Sequence, residues 1–134
     1  MQTNLKIIIV EDHKGFGEAL AFYLQKKLGH EVLFIANSAK DIYEFKNIYD
    51  ADLIFMDIEL PDENGFQIAK KLFIDFPKMK IIAMTMYEDK VYLRKIVSAG
   101  FKGALFKSDF YLNLQNAIEY VIAGKVYFPQ NIRF

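Results

Sequence analysis

The sequence predicts an α/β fold in which five parallel strands form a doubly wound sheet with helices on both faces. Three observations carry this expectation. Short apolar segments alternate with longer stretches of helical period, the pattern of repeated strand-helix units. The strand segments are apolar almost without interruption, as strands covered on both faces are. The chain has 134 residues, near the usual size of one domain, so a single core is expected.

The elements follow in order. Leu5 to Val10 reads as the first strand, and Phe16, Leu20, Tyr23, Leu24 and Leu28 line one face of the helix after it, which Gly29 should stop. Val32 to Ala36 is the second strand. Ser38 followed by Asp41 has the spacing of a capping box and opens the second helix. Leu53 to Met56 forms the third strand, and its helix carries Ile68, Ala69, Leu72, Phe73 and Phe76 on one face before Pro77 closes it. Ile81 to Met84 is the fourth strand, with its helix ending at Gly100. Ala104 to Phe106 is the fifth, followed by a helix with Leu114, Ala117, Ile118, Val121 and Ile122 on one face and Gly124 at its end. No linker-like stretch or internal repeat precedes the tail Val126 to Phe134.

Composition narrows the function. Seventeen basic and seventeen acidic residues cancel, so the chain lacks the positive field that draws proteins to nucleic acid, and no binding of duplex DNA by these residues is expected. There is no cysteine, which excludes disulfides, thiolate nucleophiles and cysteine-ligated metals. No apolar run approaches membrane-spanning length and no signal peptide is visible, so a cytoplasmic protein without membrane contact is expected.

In a doubly wound sheet with right-handed crossovers, ligands bind beyond the carboxyl ends of the strands. The positions just after the strands are Glu11 and Asp12, then Asn37, Asp57, Thr85 and Lys107. Carboxylates about 5 Å apart repel by roughly 3 kcal/mol per pair at an effective dielectric of 20, which favours either a protonated acid or a bound divalent cation. Oxygen ligands suit Mg²⁺, which commonly bridges carboxylate and phosphate. A phosphoryl group is then the natural third party. Asp57 has the chemistry of its nucleophile, while Lys107 and the Thr85 hydroxyl can bind its oxygens.

Taken together, Ile7-Ile8-Ile9-Val10-Glu11-Asp12, Met56-Asp57-Ile58-Glu59-Leu60-Pro61-Asp62-Glu63-Asn64-Gly65, Met84-Thr85 and Phe106-Lys107 resemble the receiver domain of bacterial response regulators, the CheY-like family, over residues 5 to about 124. Ser98-Ala99-Gly100-Phe101-Lys102-Gly103 and Ala123-Gly124-Lys125-Val126-Tyr127 are similar to its NarL/FixJ subfamily. The resemblance implies a flavodoxin-like sheet of strand order 2-1-3-4-5. It implies that Asp57 is the phosphoacceptor, that Asp12, Asp57 and the carbonyl of Glu59 bind Mg²⁺ with Glu11 supporting it through water, and that Thr85 and Lys107 hold the phosphoryl group. Implied partners are a histidine kinase, a second copy of the chain on phosphorylation, and DNA through a C-terminal output domain. Residues 1–125 would be the receiver and 126–134 a tail or the start of a linker. A receiver of this kind assists only its own phosphorylation and dephosphorylation and is not otherwise an enzyme.

Two other readings compete. A Mg²⁺-dependent phosphohydrolase working through an aspartyl phosphate wants Asp-x-Asp, whereas Asp57-Ile58-Glu59 stands here. A pseudo-receiver keeps the fold as a binding module without phosphorylation. It draws on Ala104, which stands where receivers usually carry a switching Tyr or Phe. Tyr87, two residues past Thr85, is the expected replacement for that missing bulk, with Phe101 packed opposite. Ser108 follows Lys107 where many receivers have proline, so no cis peptide is expected there. Met86 is expected to narrow access to Asp57, His13 to be surface decoration and His30 to be structural. Gly15-Phe16-Gly17 opens like a dinucleotide fingerprint, but Leu20 replaces its third glycine.

Overall fold

The computed structural model describes residues 4–129. Five strands, β1 Lys6–Val10, β2 Glu31–Ala36, β3 Leu53–Asp57, β4 Ile81–Thr85 and β5 Gly103–Phe106, form one parallel sheet in the order β2-β1-β3-β4-β5. The order is the one the resemblance implied. Between the strands lie α1 Lys14–Phe22, α2 Ala39–Glu44, α3 Gly65–Asp75 and α4 Lys90–Ser98, and α5 Phe110–Ile122 follows β5.

Period-two alternation explains why the strands read as continuous apolar runs. Ile8, Val10, Ile54, Met56, Ala83 and Ala104 point into one core with Ile68, Leu72, Leu93 and Ile96 of α3 and α4. Their neighbours Ile7, Ile9, Leu53, Phe55, Ile82 and Leu105 point into the other, against Leu20 of α1 and Leu114, Ile118 and Val121 of α5. All residues of β3 and β4 are buried, whereas β2, at the sheet edge, is only half covered. Its ladder to β1 shifts register between Ile7 and Ile8, an irregularity common at edges.

The strands differ from expectation mainly at their ends. The ladder continues through Asp57↔Met84 and Thr85↔Phe106, so the two site residues are the last residues of β3 and β4 rather than the first of their loops. Leu5, expected in β1, is buried just ahead of it. The first helix is not uniform: after Phe22 it widens into a π-helical turn, Tyr23–Lys27, closed by Leu28 N–H donating to Tyr23 O at 3.2 Å. Gly29, Gly100 and Gly124 all take φ between 76° and 98°, the left-handed conformation that ends a helix. His30 is buried and accepts Leu5 N–H on Nδ1 at 3.2 Å, the structural role expected of it.

Ser38 caps α2 by accepting Asp41 N–H at 3.1 Å, but the box does not close on itself. The Asp41 carboxylate accepts Asn37 N–H at 3.0 Å, one residue beyond the cap. Asp62, from the loop after β3, completes the end by accepting Ala39 and Lys40 N–H at 2.9 and 3.1 Å.

After α5 the chain returns along the outer edge of β5. Tyr127 N–H donates to Lys102 O at 2.9 Å and Tyr127 O accepts Ala104 N–H at 3.0 Å, so a parallel bridge to Gly103 extends the sheet by one position. The Tyr127 hydroxyl donates to Asn113 Oδ1 of α5 at 3.2 Å. Phe128 packs on the other face, against the core that contains Ala104. The expected replacement, Tyr87, is instead 44% exposed and directed toward Glu59. Phe101 does not face Tyr87 either: it is buried against Phe66, which contacts Tyr92, which in turn contacts Tyr87. Residues 130–134 of the expected tail lie outside the described residues. All described peptide bonds are trans, including the one after Lys107.

Candidate functional site

Asp57 ends the central strand, and its residue is 5% exposed at the floor of a cleft of about 680 Å³. Parallel pairing brings the carboxyl ends of β1, β4 and β5 to the same rim, so Glu11, Asp12, Thr85 and Lys107 line that cleft with Glu59. All six sequence-predicted site residues therefore meet in one place. Asn37 does not join them: its Nδ2 donates to the Glu11 carbonyl at 3.0 Å, tying β2 to the start of the β1 loop.

Local backbone geometry fixes the acids. Glu11 N–H donates to Ala36 O at 2.8 Å, while its fully buried carboxylate accepts His13 N–H at 3.0 Å. Asp57 Oδ1 accepts Glu59 N–H at 3.1 Å. One oxygen from each of Glu11, Asp12 and Asp57 lies within 4.8 Å of the others. Lys107, in a 3₁₀ turn Lys107–Asp109 after β5, reaches back over β4 to place Nζ 2.8 Å from Glu11 Oε1 and 3.2 Å from Asp57 Oδ2.

This electrostatics is unbalanced. Three carboxylates face one ammonium in a partly dry cleft. Burial, with Glu11 beside it, pushes the Asp57 carboxyl up to about 7 against the opposing pull of Glu59 N–H and Lys107. Burial works to lower Lys107, yet the bond to Glu11 and the charges of Asp57 and Glu11 prevail and hold it above its ordinary value. Such a site has a surplus of negative charge when Asp57 ionises, and its oxygen donors match a hard divalent cation.

Four features were not assigned to the site from sequence. His13 is not surface decoration: its Nδ1 accepts Phe16 N–H at 2.9 Å and caps α1 beside the acids. A histidine immediately before a helix-like run was the available signal. Phe16 lines the cleft with its ring 4.7 Å from Lys107 Nζ. Gly65, at the start of α3, packs so closely beneath Asp57 that a Cβ there would lie 2.7 Å from the Asp57 carbonyl oxygen. Tyr87 bridges two loops, its N–H donating to Thr85 Oγ1 at 3.0 Å and its hydroxyl to Glu59 Oε2 at 2.8 Å. Met86 lines the same cleft and is 72% exposed.

Among the described residues no helix is long and apolar enough to cross a membrane. The family description "Response regulator receiver domain" matches residues 7–119. Among curated proteins, the oxygen regulatory protein NreC of Staphylococcus aureus is 30% identical over 124 residues, 92% of this chain and 57% of NreC. The transcriptional regulatory protein DegU of Brevibacillus brevis is 26% identical over 126 residues, 94% of this chain and 53% of DegU. The chain thus spans about half the length of the curated relatives it matches. Among solved structures, a two-component response regulator of the LuxR family from Aurantimonas superposes with a TM-score of 0.88 at 25% identity, covering 97% of this chain and 93% of that one. The isolated receiver of RcsB from Salmonella enterica serovar Typhimurium, with the phosphomimetic BeF3-, has the same fold, with a TM-score of 0.86 at 20% identity over 97% and 96% of the two chains. With its strand order, its cleft and these matches in agreement, the chain belongs to the response regulator receiver domain family, on the NarL/FixJ-like side of it.

Proposed function

We propose that Asp57 accepts a phosphoryl group from a histidine kinase and that the resulting change of shape is the signal this receiver passes on. The observation that carries the reading is the placement of the buried Asp57 carboxylate against Lys107 Nζ, with oxygens of Glu11 and Asp12 alongside. An Asp57 oxygen attacks phosphorus, the new O–P bond forms as the donor's P–N bond breaks, and the histidine nitrogen leaves with its electron pair. Lys107 meets the charge on the phosphoryl oxygens, and the Thr85 hydroxyl donates to one of them.

Asp12, Asp57 and the Glu59 carbonyl would hold Mg²⁺, with Glu11 supporting it through water; the acidic cluster and its all-oxygen chemistry fit that ion. When bound, Mg²⁺ would neutralise charge on the transferring group and, by offsetting burial and the neighbouring Glu11 charge, favour the ionised form of Asp57. The protein then catalyses only its own modification. A phosphohydrolase acting on other substrates is disfavoured, because the Glu59 carboxylate, the counterpart of that class's acid-base group, is engaged by the Tyr87 hydroxyl.

Residues 1–125 act as the receiver, with Tyr127 of the following segment still paired to the edge of β5. Transcriptional output through a C-terminal DNA-binding domain, dimerisation on phosphorylation and a cytoplasmic setting complete the reading. It draws support from relatives described as regulatory proteins, of whose length the match covers only 53% and 57%. Fluorine NMR tests the site: beryllofluoride should give a Mg²⁺-dependent bound signal that Asp57→Asn lacks, and a signal unchanged in the variant would refute the assignment.

A further inference from the structure

Lys107 is held on three sides, and only one of its partners is constant through a phosphorylation cycle. Glu11 Oε1 and Asp57 Oδ2 lie 2.8 and 3.2 Å from Nζ. Both carboxylates change state: phosphorylation converts that of Asp57 to an acyl phosphate, and a divalent cation competes with the ammonium for both. The Phe16 ring, with its centroid 4.7 Å from Nζ, attracts a cation through its quadrupole, which neither metal nor proton alters.

The ring is fixed at both ends. Its backbone N–H is held by His13 Nδ1 at 2.9 Å. Its side chain meets Phe110 edge-on at 5.2 Å and 78°, and Phe110 is 2% exposed with its own contact to Phe55 at 6.2 Å. Phe110 begins α5, the helix that follows the Lys107 turn, so the ring and the lysine backbone share one rigid support.

We propose that Phe16 is the positioning residue for Lys107, its ring face keeping the ammonium beside Asp57 while the carboxylate partners change. The inference rests on the phosphoacceptor reading of Asp57. With acetyl phosphate as donor, an Asp57 oxygen bonds to phosphorus as the bond to acetate breaks, and acetate departs with the electron pair. Lys107 has to pass from Asp57 Oδ2 to a phosphoryl oxygen during that step. A flexible four-carbon side chain freed from its carboxylates has many places to go, and a fixed ring beneath the ammonium restricts them. A role in packing alone makes a different statement, because leucine would then serve at position 16 and any loss would be independent of Lys107.

The test measures the initial rate of phosphorylation by acetyl phosphate at saturating Mg²⁺, followed by intact mass. The chains compared are wild type, Phe16→Leu, Phe16→Tyr, Lys107→Met and Phe16→Leu/Lys107→Met. Phe16→Leu should slow the reaction roughly three- to tenfold, the range a partly exposed cation-ring contact supports. Phe16→Tyr, which keeps the ring face, should recover most of that loss. In the Lys107→Met background Phe16→Leu should have no further effect, since a cycle isolates the pairwise contribution. A Phe16→Leu rate equal to wild type, an equal loss without Lys107, or a Phe16→Tyr rate as slow as Phe16→Leu would overturn the inference while leaving the phosphoacceptor reading intact. A wild type that gains no phosphoryl group would overturn that reading and this inference with it.

Discussion

The Tyr87 hydroxyl donates to Glu59 Oε2 across 2.8 Å, joining the loop after β4 to the loop after β3 on either side of the cleft that holds Asp57. The same residue's N–H donates to Thr85 Oγ1. Tyr87 therefore reports both on Thr85 and on the backbone that follows Asp57. The bond to Glu59, and then its charge, hold the Tyr87 phenol above its ordinary value. Glu59→Gln should lower the pH at which Tyr87 titrates, read by NMR of the ring carbons. Beryllofluoride at Asp57 should shift the Tyr87 amide as Thr85 Oγ1 turns to a new partner. Unmoved Tyr87 signals in a modified protein would place the output on some other face.

Gly65 is required by close approach rather than by turn geometry. Alanine is favoured over glycine by about 1 kcal/mol within a helix, yet here its Cβ would meet the Asp57 carbonyl oxygen at 2.7 Å and Ile58 Cα at 2.8 Å, both backbone atoms. Overpacking costs about 1–3 kcal/mol, so the clash outweighs the propensity. Gly65→Ala should lower the melting temperature and slow phosphorylation. A melting temperature at or above wild type would show that the loop relaxes freely.

Gly103 makes the parallel argument at the sheet edge. A Cβ there would lie 2.9 Å from Tyr127 O, the atom that accepts Ala104 N–H. Gly103→Ala should therefore loosen the returning segment and speed hydrogen exchange at the Ala104 and Tyr127 amides. The central-strand amides, such as Ile54, should stay protected. Unchanged exchange at Ala104 would mean that the bridge does not depend on this glycine.

These residues mark the boundary of what could be read from the sequence alone. The five strands were legible because each is apolar on both faces, and Asp57, Thr85 and Lys107 were legible because parallel strands bring their carboxyl ends to one rim. The π-helical turn at Tyr23–Lys27 was not, because a change from four-residue to five-residue hydrogen bonding leaves the apolar spacing of Tyr23, Leu24 and Leu28 in place. Phe16 reads as core by periodicity, and only the folded chain brings its ring against Lys107. Gly65 and Gly103 are silent for the same reason, since the atoms that exclude a Cβ belong to other segments. The pairing of Tyr127 with β5 was not legible within the tail expected from Val126, because a single-residue bridge carries no periodic signal.

Stability should respond to Mg²⁺ in a pH-dependent way. Asp57 has a pKa raised from 3.8 to about 7 in the folded protein, so its protonation favours the fold. That contribution is complete below the unfolded value and is lost as pH rises through about 7. Metal binding requires the ionised carboxylate and competes with the proton. The rise in melting temperature on adding millimolar Mg²⁺ should therefore be larger at pH 8 than at pH 6, should reverse with chelator, and should vanish in Asp12→Ala. A larger rise at pH 6, or one unaffected by Asp12→Ala, would contradict the metal site at this cluster.

The account turns on whether Asp57 forms the acyl phosphate. Intact-mass analysis after incubation with Mg²⁺ and acetyl phosphate answers this most directly. The wild type should gain the mass of a single phosphoryl group and lose it on raising the pH or on standing, and Asp57→Asn should gain none. Equal phosphorylation of Asp57→Asn, or none in the wild type under conditions where Mg²⁺ stabilises the fold, would contradict it.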